Sequence, residues 1–200
     1  MAPVSTTSLP EQLIPKILPF VHEAGSAYFD FLFGADAAAV LSRWMLRPSS
    51  EVFIERVSLL GEPSDPVGGF IALSGSELSK CRQMDMAALT MSGNRSRREE
   101  VAKRLELTRN LFSPVEANEF YLSKFWIDQK HRGAGHGRRL MKSYISAGHA
   151  RGLTRFSLDV SAQNEPAIRV YRSFGFKEVR ESKVPEAGLH YFAMAADIAP

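Results

Sequence analysis

The 200 residues contain a single cysteine, Cys81. One thiol can form no disulfide within the chain and no cysteine-based zinc site, and such sparing use of cysteine fits a reducing compartment. Flanked by Lys80 and Arg82, Cys81 reads as a helix-surface or core residue rather than a nucleophile. Long apolar runs are missing as well. The most apolar early stretch, 35–46, is too short to cross a bilayer and carries Asp36 and Arg43. The first residues lack the basic-then-apolar order of a secretory leader. These absences lead to the expectation of a soluble, cytoplasmic protein with no membrane partner. There is no internal repeat and no low-complexity tract. Hydrophobic residues at 44% and charged ones at 24% suit a folded domain. Residues 1–9, small and polar, are expected to be a flexible end, and 10–200 one domain.

A large charge excess is also missing: the net charge is +3. The basic residues are unevenly placed, however. Arg95, Arg97, Arg98, Lys103 and Arg104 alternate with Glu99, Glu100 and Glu106 at helical spacing, the pattern of a solvated, salt-bridged helix face. Lys130, Arg132, Arg138, Arg139 and Lys142 have no acidic residue among them from Gln129 onward, and this window invites an anion.

Along the chain, helical periodicity over 11–33 is interrupted by Pro15, Pro19 and Gly25. Asp36 is placed to cap a helix running to Met45. Val52, Ile54 and 57–60 form a strand signal, and the turn residues 61–66 join it to a second strand over 67–73 as a hairpin. Two helices are expected within 76–112, broken at Gly93-Asn94 and ended before Pro114. From Phe120 the pattern turns to strand. A Gly-rich turn over 132–137 then opens a helix, and a strand follows at Phe156, Leu158 and Val160. Asn164 is placed to cap a further helix that Gly175 closes. Strands near 176–179 and 189–194 complete the chain. This order specifies an α/β (α+β) domain with a mixed sheet.

The chemistry concentrates where the turn meets the helix. The first amides of a helix lack internal partners and carry the positive end of its dipole. Glycines before them let a phosphate approach closely. The spacing excludes two common phosphate binders: there is no Gly-x-x-x-x-Gly-Lys-Ser/Thr run, and the glycines of Gly133-Ala134-Gly135-His136-Gly137 fall on alternate residues rather than as Gly-x-Gly-x-x-Gly. The run Arg132-Gly133-Ala134-Gly135-His136-Gly137 has the form Arg-x-x-Gly-x-Gly, and downstream stand Asn164, Tyr171 and the pair Gly175-Phe176. Together these resemble the acetyl-CoA signature of the GNAT superfamily of N-acetyltransferases, specifically over about 120–179.

The resemblance implies a mostly antiparallel, twisted sheet splayed into a V, flanked by helices, with acetyl-CoA as cosubstrate in the cleft and no metal. It implies that Phe125, Trp126 and Ile127 end the strand that pairs with the pantetheine arm beside a bulge. Amides from Gly133 through Ala134, Gly135, His136 and Gly137 to Arg138 would hold the diphosphate, with Arg132 adding charge. Asn164 would bond the arm, Tyr171 would protonate the departing sulfur, and a strand amide near Ile127 would stabilise the oxyanion. The acceptor would be an amine of a small molecule or peptide. For the proton acceptor the candidates are Glu119, on the same strand, then His22, His190 or ordered water; relatives that use a glutamate there place it nearer the cofactor, where this chain has Tyr121. The helices of 76–112 are an insertion relative to the family pattern and could form a lid, an acceptor wall or a homodimer contact. Two other functions stay open: a non-catalytic acyl-CoA-binding module, and, ranked last, nucleic-acid binding through 130–142, which lacks interleaved aromatics.

Overall fold

The computed structural model describes residues 4–5, 9–91 and 93–200. Of the first nine residues, 1–3 and 6–8 lie outside that description, whereas Val4–Ser5 (β1) pair with Leu60 and Leu59, and Leu9 is buried. One sheet organises the molecule, with strands β2 (Val57–Glu62), β3 (Asp65–Ser74), β4 (Glu119–Ile127), β5 (Arg155–Ser161), β6 (Lys177–Val184) and β7 (Leu189–Asp197) in the order β1-β2-β3-β4-β5-β7-β6. Every pairing is antiparallel except β4 with β5. A parallel pair needs a crossover, and α6 (His136–His149) supplies it. Among the described residues no helix is long and apolar enough to cross a membrane.

One face of the sheet carries α1 (Ile14–Glu23), α2 (Ser26–Phe33), α3 (Ala37–Met45), α4 (Gly75–Met91) and α5 (Arg95–Thr108), packed over Leu59, Ile71, Tyr121 and Trp126. The other carries α6 and α7 (Glu165–Arg172), packed over Phe120, Leu122, Phe156 and Leu158. Pro19 does not break α1: its ring lies on the exposed side, and the interruption falls at Gly25. Asp36 does not cap α3 with its side chain, because that carboxylate turns to Arg97, 3.0 Å away on α5. The strand expected at Val52 and Ile54 is instead a loop and a 3-10 turn over Ile54–Arg56.

The two helices expected within 76–112 are α4 and α5. A reciprocal cap starts α4: Ser74 N donates to Glu77 Oε2 at 2.8 Å, and Glu77 N donates to Ser74 Oγ at 3.3 Å. Asn94 starts α5 by accepting from Arg97 N at 2.9 Å. The α7 helix ends as its glycine predicts. Gly175 is left-handed (φ +87°), Gly175 N donates to Arg172 O, and Phe176 N donates to Tyr171 O. That closure fixes Tyr171 at the last turn.

A candidate acyl-cofactor cleft where the sheet opens

β4 and β5 pair only from Glu119/Arg155 to Leu122/Leu158. Beyond that point β4 stays with β3 and β5 stays with β7, so the sheet parts. A bulge sits at the parting point. Ile71 faces Lys124 and Ala72 faces Leu122, which leaves Ser123 without a partner on β3. The extra residue reverses the side-chain alternation. Before the bulge Tyr121 faces the α1–α5 side. Beyond it Phe125 faces α7, with its ring 6.0 Å from Tyr171, and Trp126 turns to the α1 side, stacked on Phe20 at 6.3 Å. Counting by twos across this strand, which would put Tyr121 and Phe125 on one face, therefore fails at Ser123.

The bulge is anchored from the far side of the sheet. The Ser123 hydroxyl donates to Glu51, Lys124 Nζ lies 3.4 Å from Glu51 Oε1, and Arg82 Nε lies 3.3 Å from Oε2. Burial pushes the Glu51 carboxyl up, but Lys124, Arg82 and the Ser123 hydroxyl outweigh it and hold it down at about 2. Glu51 lies in an irregular loop 72 and 73 residues from Ser123 and Lys124 and 31 from Arg82, so no local sequence signal announces it.

Between the parted strands lies a cavity of about 290 Å³, walled by the α1–α2 turn (Glu23 to Ala27), by Ser123 and Phe125, by Asp159 and Ser161, and by Asn164, Tyr171 and Tyr191. The strand end turns some of its backbone into this gap. Asp128 N donates to Val67 O on the β3 side. Alternation along a strand then directs the backbone groups of Ile127 and Phe125 toward the gap, and Arg132 Nε reaches Ile127 O from that side at 3.0 Å. The Trp126 side chain takes no part in the cavity.

The Gly-rich turn lies at the end of this strand. Gly133 (φ +81°) and Gly135 (φ +78°) are left-handed, and a Cβ added to either would meet nothing within 4 Å. Among the described residues no acceptor reaches the amides from Gly133 to Arg138, and Gly135 leads into α6 without a side-chain cap. These are donors in want of an anion. The basic window is less free than its sequence suggests: Lys130 pairs with Asp65 at 2.5 Å and Arg132 with Glu23 at 2.7 Å. Arg138, Arg139 and Lys142 carry no ion pair among the described residues; Arg138 lies over the Phe174 ring and donates to Ser173 Oγ at 3.0 Å. His136 sits edge-on to His131 at 6.1 Å.

The remaining candidates separate cleanly. Asn164 caps α7, accepting from Ala167 N at 3.3 Å, and lines the cavity as well. Tyr171 is 5% exposed and lines the cavity, and its hydroxyl has no hydrogen-bond partner among the described residues. Burial pushes its phenol pKa well up. Glu119 is not brought to the cavity. It is held at the far end of β4 by Arg155 Nε at 2.8 Å and by Ser157 Oγ at 2.7 Å. His22 is bound to Asp30 and His190 to Glu181, each at 2.7 Å, and neither lines the cavity. Among the described residues no cluster of His, Cys, Asp or Glu could hold a metal ion.

The comparisons agree with this geometry. Residues 96–176, from α5 through the loop to the end of the Tyr171 helix, match the acetyltransferase (GNAT) family. No curated protein matches the chain. Among solved structures the chain resembles an N-acetyltransferase from Staphylococcus aureus Mu50 with a TM-score of 0.69 at 13% identity, covering 95% of this chain and 98% of that one. It also resembles the ribosomal-protein-S18-alanine N-acetyltransferase from Escherichia coli, with a TM-score of 0.56 at 18% identity over 100% and 96% of the two chains. At such identities the likeness is one of fold. Family match, splayed sheet and unpaired loop amides coincide on one segment, and it is over residues 96–176 that the chain resembles the acetyltransferase domain of the GNAT family.

Proposed function

We propose that the protein is an acetyl-CoA-dependent N-acetyltransferase that acts by direct transfer on a primary amine of a small molecule or peptide. The observation that carries this reading is the opening between β4 and β5, set beside a row of loop amides that lack acceptors. The donors fit the linked phosphates of a coenzyme A, and the two left-handed glycines leave that space clear. The backbone edge at Phe125 and the Ile127 amide suits a pantetheine arm, and the Asn164 side chain lines the same gap. Acetyl-CoA supplies the activated acetyl group. The protein holds it against the acceptor in one cleft, and proximity of this kind can supply a large part of the rate.

Tyr171 is the proton donor to the departing sulfur in this reading. Its hydroxyl is free, and burial keeps it protonated across the working pH range. A thiolate with a pKa near 8.5 needs little help in leaving, and a phenol far above that value is a weak donor, so the contribution is modest. Tyr171→Phe is expected to lower kcat by about tenfold and to leave CoA affinity within about twofold; an unchanged kcat would remove the role.

The whole reading is tested by titrating CoA into the folded protein in a calorimeter, and by following thiol release from acetyl-CoA over a pooled amine library. Saturable binding together with amine-dependent thiol release is expected. Binding without release over the whole library would make the protein a CoA-binding module instead, and no binding at millimolar CoA would end the proposal.

A further inference from the structure

Resting on that reading, we infer that Asp159 is the group that receives the acceptor ammonium and takes its proton, with Tyr121 and the inserted-helix residue Arg82 positioning it. Asp159 stands one residue beyond the last β4–β5 pair, so the parting of the sheet exposes it to the cavity. Its side chain belongs to the face shared with Tyr121, since Leu158 and Val160 on either side pack under α6 and α7. The two carboxylate oxygens are treated differently. Oδ2 accepts from the Tyr121 hydroxyl at 3.1 Å, which fixes the group in place. Oδ1 is buried and makes no hydrogen bond of normal geometry among the described residues, the backbone amide of Ser113 giving the carboxylate only a long contact.

A buried carboxylate oxygen left unpaired is costly, and this one lies on a residue that lines the acceptor half of the cleft. A small rotation of the side chain into the cavity would let an ammonium N–H satisfy it. Glu119, His22 and His190, the other ionisable candidates, are each already bound to a partner outside the cavity.

The step balances within the pair. One N–H bond of the ammonium breaks and its proton forms an O–H bond on Oδ1. The nitrogen keeps the electron pair with which it attacks, and the carboxyl becomes neutral until it returns the proton to solvent. An ordinary lysine-type ammonium has a pKa of about 10.4. Loss of water around the cation in the cleft lowers that value and narrows the gap.

The surroundings set when Asp159 is ready. Burial raises its carboxyl to about 6, against the Tyr121 hydrogen bond and the nearby Arg82, Ser113 amide and Arg180, which hold it down. Every packed element contributes a facing group: Tyr121 from β4, Arg82 from α4, Ser113 from the segment after α5, Arg180 from β6, Tyr191 from β7 and Glu23 from the α1–α2 turn. Arg82 lies over the Tyr121 ring at 5.2 Å and the Phe112 ring at 6.0 Å, and Arg180 donates to Phe112 O at 3.3 Å. The insertion thereby builds one wall of the acceptor site and carries a charge that tunes it. With the carboxylate as the active form, kcat/KM gains an acidic limb near pH 6 and falls about tenfold per unit below it.

The test uses the full-length chain, acetyl-CoA and the best amine found by thiol release. Asp159→Asn is expected to lower kcat by about 10² to 10⁴-fold, to erase the limb near pH 6, and to keep wild-type CoA affinity and a melting temperature no lower than wild type. Asp159→Glu should recover part of the rate. Tyr121→Phe removes a bond that holds the carboxyl down and should move the limb to higher pH. An Asp159→Asn enzyme with wild-type kcat and an unaltered limb overturns the inference while leaving the acetyltransferase reading standing. A rise in KM alone, with kcat and the limb retained, also overturns it, because Asp159 would then only attract the acceptor. Absence of CoA binding or amine-dependent thiol release in the wild-type protein would instead strike the broader reading.

Discussion

Gly135→Glu is expected to cost at least about 100-fold in CoA affinity, roughly 3 kcal/mol, in a protein that still folds. Two effects act together, and their sizes can be separated. The backbone at residue 135 is left-handed, φ +78°, and a side chain in that conformation costs on the order of 1–2 kcal/mol. The second effect is charge. A carboxylate within about 4 Å of a phosphate is repelled by about 1 kcal/mol in bulk water and up to about 4 where the site is drier, and the diphosphate offers more than one charge. Folding tolerates the change because a new Cβ meets no atom within 4 Å and Gly135 lies outside the packed face of α6. Gly135→Ala isolates the backbone part and should lose only about tenfold. Raising the salt should recover some of the Glu variant's affinity and little of the Ala variant's, since only the charge is screened. Calorimetric titrations of the three proteins at two salt concentrations decide the matter. Equal CoA affinity in a folded Gly135→Glu protein would remove the loop from the phosphate site.

The sequence reading reached the features that are local and failed at those that are not. The Gly-rich turn, the Asn164 cap, the Gly175 closure and the strand-helix-strand order around α6 each depend on a few neighbouring residues whose types carry the conformation. Glycine is required at a left-handed position, and asparagine accepts from a first-turn amide. The two helices within 76–112 are legible for the same reason, and the Ser74–Glu77 pair that caps α4 is itself a local pattern.

The surroundings of Asp159 were not legible. Asp159 alternates in sequence like any residue of a half-exposed strand, and its significance arises only where β4 leaves β5 and Tyr121 meets it from 38 positions away. Glu119 shows the converse. It has the right chemistry on the right strand, but a bulge that composition does not reveal reverses the phase of β4 at Ser123, and Arg155 and Ser157 already hold the carboxylate. Charge runs mislead in the same way. Lys130 and Arg132 look free in the sequence and are paired in space with Asp65 and Glu23.

Gly148 is expected to be the position where the fold itself is most sensitive, and Gly148→Leu should leave little folded protein. The reason is the approach of α6 to the sheet. A Cβ at 148 would lie 2.4 Å and 2.8 Å from two atoms of the Phe156 ring and 2.9 Å from Phe120. The rings have nowhere to retreat. Phe156 is fully buried and Phe120 is 3% exposed; Tyr144 stacks on Phe120 at 5.3 Å, and Tyr144 and His149 meet Phe156 edge-on, each at 5.4 Å. Gly148→Ala sets two magnitudes against each other. The helix gains about 1 kcal/mol from replacing glycine with alanine, whereas overpacking a filled core costs about 1–3 kcal/mol. Because the neighbours cannot yield, the loss prevails, and the alanine variant should melt a few degrees below wild type at roughly 2–4 °C per kcal/mol for a chain of this size. The leucine variant adds three more carbons to the same contact. Any lift of α6 from β4 and β5 also moves the amides at its N-terminus away from the strand end, so CoA affinity in the alanine variant should fall together with stability. An alanine variant that melts at or above wild type would mean that the helix can shift at no cost, and the rigid placement of the phosphate loop argued from this contact would be lost.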